Sequence, residues 1–150
     1  MGSTVVVASS SQKFQSWSIP YPYKQNSSFH YLCGIDQPGL LLVLQKLQRN
    51  EVRRCLFMKS KSEYFFCLLV MSSSKIGQVT PCLFPEDAKQ YFGMTEVYDV
   101  SQIPSVLPVL LGESKSIYSS TSPDYSLDTA FRSSISAKSD LSVKSIFIPM

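Results

Sequence analysis

Hydrophobic positions fall in short runs separated by polar stretches carrying Pro and Gly, and runs of this length predict strands. Residues 5–8 are mostly β-branched and predict a buried strand. Residues 9–28 are rich in Ser, Pro and Asn, and Pro20 and Pro22 forbid a central strand or helix interior, so a long loop is predicted there. Phe29, Tyr31 and Cys33 alternate with His30 and Leu32 and stop at Gly34, predicting a strand with those three side chains on one face. Asp36-Gln37-Pro38-Gly39 is a turn signal, which makes residues 40–44 the returning strand of a hairpin. Residues 55–58 and 64–71 predict two further strands.

The second half has helix signals. Pro85 suits a first helical position, Glu86 and Asp87 suit the positive end of a helix dipole, and Gly93 is a stop. Tyr91 and Phe92 are expected to face the core. Residues 96–100 alternate as a strand. Ser101 is expected to cap a helix through Leu111, with Pro104 tolerated in the first turn, Pro108 kinking or ending it, and Gly112 as a stop. From Ser114 to Ser145 Ser dominates and apolar residues are scattered, a signature of poor order, although Ile117-Tyr118 can form a short strand. Ile146-Phe147-Ile148 has no visible partner. Strands alternating with short helices imply an α/β fold, and the hairpin makes its sheet mixed. The expected division is a domain over 4–112 followed by a Ser-rich, partly disordered tail over 113–150.

Composition narrows the chemistry. With 150 residues and 44% hydrophobic content the chain suits one domain with a real core, which excludes collagen, coiled coil and wholesale disorder. A net charge of +3 is too weak to imply a polyanion partner, and the basic excess at Lys46, Arg49, Arg53, Arg54, Lys59 and Lys61 reads as a solvated loop and strand edge. No nucleic-acid partner is expected. The longest apolar run, 64–71, is far short of the roughly 20 residues that a bilayer span needs, and no signal or Arg-rich presequence is seen, so neither a membrane partner nor a targeting peptide is expected. Cys33, Cys55, Cys67 and Cys82 form no Cys-x-x-Cys pair and lie among apolar residues, so they read as core thiols of an intracellular protein. His30 is the only histidine, which leaves no multi-histidine metal site and no supported Ser–His–Asp arrangement.

Two stretches carry a family resemblance. The first comprises Thr4-Val5-Val6-Val7, then Ile19-Pro20-Tyr21 leading to Gln25-Asn26, then Phe29-His30-Tyr31-Leu32-Cys33-Gly34-Ile35 with Gln37-Pro38, and Leu42-Val43-Leu44-Gln45. The second, residues 88–111, comprises a helix ending at Gly93, then Glu96-Val97-Tyr98, then a helix carrying Pro104 and Leu107-Pro108. Together they resemble the N-terminal domain of the aminopeptidase P and creatinase family, most closely its Xaa-Pro aminopeptidase 3 branch.

The resemblance implies an α/β domain, a mixed sheet flanked by helices. It belongs in a two-domain metallopeptidase that removes N-terminal residues preceding proline. The second domain would hold paired divalent metals, usually manganese, on Asp, Asp, His, Glu and Glu ligands. The N-terminal domain would serve oligomerisation and shape the substrate entrance, so a homo- or hetero-oligomer with a related aminopeptidase is implied, in mitochondria or cytosol. No catalytic residue, metal ligand or bound cofactor carries over to this chain. The family-motif positions are Ile19, Pro20, Tyr21, Gln25, Asn26, Phe29, Tyr31, Leu32, Cys33, Gly34, Gln37 and Pro38. Asn26 and Ser28 stand where the family commonly has acidic residues, and residues 59–84 lack its Arg-Asp segment and Trp-Asp-Gly-Pro-Arg. The chain also begins at the first strand, without the preceding helix. These departures imply an incomplete domain with a bare apolar sheet face, in an isoform, gene fragment or degenerate copy.

Overall fold

A computed structural model describes residues 2–10, 14–17, 19–20, 24–59, 85–120, 133 and 142–145. Among the described residues six strands build one mixed sheet: β1 (Ser3–Ala8), β4 (Leu41–Lys46), β5 (Val52–Met58), β6 (Glu96–Asp99), β7 (Ser116–Ser120) and β8 (Ser142–Ser145). Their order across the sheet is β6-β5-β4-β1-β7-β8. A second, two-stranded sheet pairs β2 (Phe14–Ser16) with β3 (Ile19–Pro20) inside the segment expected to be loop. Among the described residues the α-helices include α1 (Ser27–Cys33), α2 (Pro85–Phe92) and α3 (Ile103–Gly112).

Strand side chains alternate between two cores. Val6, Ala8, Leu41, Val43, Cys55, Phe57 and Ile117 face α3, which returns Ile103, Leu107, Leu110 and Leu111 from one helical stripe. Val7, Leu42, Leu56 and Met58 face the other way, onto Phe29 of α1 and Ala88 of α2. Burial on both faces explains why β1, β4 and β5 read as continuous apolar runs. It also corrects the expectation of a bare sheet face: among the described residues, helices pack on each side. Gln45, almost wholly buried, ties β4 to the end of α3 by donating from Nε2 to the Leu110 carbonyl at 3.0 Å. The Thr4 hydroxyl shares a hydrogen bond with that of Ser114.

Residues 29–33 are helix, correcting the predicted strand. Asn26 caps the start, its Oδ1 accepting from the Ser28 and Phe29 amides at 2.9 and 3.4 Å. Gly34 ends it with φ 73° and donates its amide to the His30 carbonyl at 2.7 Å. Phe29, Leu32 and Cys33, spaced for one helical face, pack on the sheet, and Tyr31 points outward at 89% exposure. The predicted hairpin partner of β4 is therefore replaced. β4 pairs antiparallel with β1, Val6 opposite Val43, and with β5, Val43 opposite Cys55. The true hairpin is β4–β5, whose connection includes Asn50 in the left-handed region at φ 64°.

Other expectations need smaller corrections. Tyr91 is 71% exposed, because the buried stripe of α2 runs through Ala88 and Phe92. Ser101 is not the cap ahead of α3. Gln102 holds that position without a side-chain capping bond, and Asp99 caps the turn before it, accepting from the Ser101 amide at 2.8 Å, while Gln102 Oε1 accepts from the Asp99 amide at 3.2 Å. This capping box opens a 3-10 turn, Val100–Gln102, that leads into α3. Pro104 lies in the first turn of α3, but Pro108 does not end the helix, which runs on to Gly112 with Leu110 and Leu111 held in the core. Within the Ser-rich stretch, Ile117 and Tyr118 lie in β7, and Ser142–Ser145 form β8. The predicted strand at 64–71, Cys67, Cys82 and Ile146-Phe147-Ile148 lie outside the described residues.

Candidate functional site

Of the motif positions, Gln25, Asn26, Gly34, Gln37 and Pro38 lie at a corner where β1 ends, α1 begins and residues 34–40 return to the sheet. Gln25 is its hub. Its Oε1 accepts from the amides of Ser10 and Asn26, both at 2.9 Å. Its Nε2 donates to the carbonyls of Ile35 at 2.9 Å and Gln37 at 3.1 Å. One primary amide thus joins three backbone segments, which requires an acceptor and a two-proton donor on the same side chain. Ser9 closes the corner from the strand side: its amide donates to the Leu40 carbonyl at 2.9 Å, and its Oγ accepts from the Leu40 amide at 2.8 Å.

The remaining positions divide by role. Phe29 anchors α1 in the core, fully buried, and Leu32 and half-buried Cys33 pack beside it. Gly34 and Gly39, at φ 73° and 74°, supply the left-handed backbone that turns the chain on either side of Gln37 and Pro38. Gln37 is buried, and Pro38 is partly so. Ile19 and Pro20 form β3, and Ile19 is exposed. Tyr21 lies outside the described residues. Outside the motif, His30 Nδ1 meets Asp36 Oδ1 at 2.7 Å, tying α1 to the following loop on an exposed surface. The sequence marked Asp36 only as part of a turn and did not foresee its bond to His30 or the bonds of the serines at 9 and 10; the Asn26 cap with apolar residues at 29, 32 and 33 was the available signal for the helix.

Asn26→Ala is expected to destabilise the domain by about 1 kcal/mol, since the α1 amides lose their acceptor. Asn26→Asp should retain most of that stability. Denaturant midpoints of the two variants check this.

A second polar group sits on β5 and β6. Tyr98 donates its hydroxyl to Glu96 Oε2 at 2.6 Å, and the Cys55 thiol donates to the same oxygen at 3.7 Å. The Tyr98 ring stacks on Phe57, centroids 5.5 Å apart. The bond to Glu96, followed by burial, pushes the Tyr98 hydroxyl up to about 12. Burial, then the Glu96 charge, pushes the Cys55 thiol up to about 12. Burial foremost raises Cys33 to about 11. Cys33 and Cys55 are free thiols and stay protonated at neutral pH, so neither supplies a thiolate nucleophile.

These groups favour their protonated forms more strongly when folded than when unfolded. Their contribution is whole below about pH 9, and stability should fall as pH rises towards about pH 12. Urea midpoints across that range should drop in the wild-type chain. A Cys55→Ala/Tyr98→Phe double variant should show a shallower decline, and an equal slope would count against this cluster.

Among the described residues no three His, Cys, Asp or Glu side chains come together as a metal site. No described helix is long and apolar enough to cross a membrane.

Comparison with known proteins decides the relationship. The family model for the aminopeptidase P N-terminal domain matches residues 1–118. The chain belongs to the aminopeptidase P N-terminal domain family. Xaa-Pro aminopeptidase 3 from Dictyostelium discoideum is 33% identical over 63 residues, 42% of this chain and 12% of that protein. The human Xaa-Pro aminopeptidase 3 is 43% identical over 49 residues, 33% of this chain and 10% of that protein. The fold matches Escherichia coli aminopeptidase P in its low-pH form, with TM-score 0.73 and 21% identity over 96% of this chain and 32% of that one. Proline aminopeptidase P II from Yersinia pestis matches with TM-score 0.73 and 20% identity, over 94% of this chain and 33% of that one. The chain thus spans about a third of the solved structures and a smaller part of the curated relatives it matches. In this aminopeptidase P N-terminal domain, the Gln25 corner joins Gln25, Asn26 and Gln37 by hydrogen bonds.

Proposed function

We propose that this chain acts as the non-catalytic N-terminal module of a manganese-dependent Xaa-Pro aminopeptidase 3-like metallopeptidase, contributing to oligomerisation and to the shape of the substrate entrance. The observation that supports this reading is the Gln25-centred corner, where four hydrogen bonds join Gln25 to Ser10, Asn26, Ile35 and Gln37 within the matched domain. Such a corner presents a fixed outline to a neighbouring chain or a threading peptide without supplying a reacting group. The compartment proposed with it is mitochondrial or cytosolic.

The purified 150-residue chain is expected to give no turnover of an Xaa-Pro peptide with added manganese, and to co-sediment with an intact Xaa-Pro aminopeptidase 3. Turnover by the chain alone would overturn the non-catalytic assignment, and sedimentation unchanged by the intact enzyme would overturn the assembly role.

A second reading rests on the partial coverage of the relatives: this chain is one part of a longer, active Xaa-Pro aminopeptidase. A full transcript encoding Asp, Asp, His, Glu and Glu metal ligands in frame with it would favour this version.

A further inference from the structure

We draw no further inference here: the strongest candidate, the outward surface of α1 and α2 on which Tyr31 and Tyr91 stand exposed, carries nothing because no part of the structure shows what covers it.

Discussion

Phe29→Ala is expected to lower the stability of the domain by roughly 3–5 kcal/mol, whereas Tyr31→Ala should change it by no more than about 0.5 kcal/mol. The contrast follows from helix geometry. Phe29 is fully buried among Ile35, Leu40, Leu42 and Leu56, so truncation removes a ring from a close-packed core and leaves a cavity. Tyr31 lies two residues along the same helix and points into solvent. In a strand these two positions would share a face, and both substitutions would be costly. Denaturant unfolding of the two variants therefore tests the conformation of residues 27–33 as well as its energy. Comparable losses at both positions would restore the strand.

Gln25→Glu should destabilise the corner by about 1–3 kcal/mol, because a carboxylate cannot donate to the Ile35 and Gln37 carbonyls. Its oxygens can still accept from the Ser10 and Asn26 amides. Gln25→Ala loses all four bonds. Amide hydrogen exchange separates the two outcomes. The Ser10 amide should stay protected in the Glu variant and lose protection in the Ala variant, while the loop at 35–37 loosens in both. Unchanged protection at Ser10 in the Ala variant would show that the hub does not hold the strand exit.

The strands were the legible part of this fold. Residues 5–8, 40–44 and 55–58 are β-branched or apolar without interruption, and two-sided burial in a sheet demands that composition. The α2 start was legible because Pro85, Glu86 and Asp87 act locally on the first turn. Residues 29–33 were misread because five residues satisfy both periods. Alternation of Phe29, Tyr31 and Cys33 competes with the helical spacing of Phe29, Leu32 and Cys33. The Asn26 cap and the left-handed Gly34, which decide for helix, lie outside the apolar run. Tyr91 was misplaced because the stripe through Ala88 and Phe92 is narrow. The motif positions were visible as residue types, and their connection was not. Gln25 reaches backbone groups of residues 10, 35 and 37, and backbone partners leave no mark on the identity of the residues that supply them.

The placement of β1 has a consequence for how the domain is made. β1 lies inside the sheet, with β4 on one side and β7 on the other, and the β7 register sets Thr4 beside Ile117. On a ribosome, β1 and β4 can pair early, but the other half of the β1 ladder waits until residues beyond α3 have emerged. Closing so long a loop adds entropy cost slowly with length, yet contacts this distant in sequence slow folding. During that interval β1, which carries Val5, Val6 and Val7, has an open strand edge.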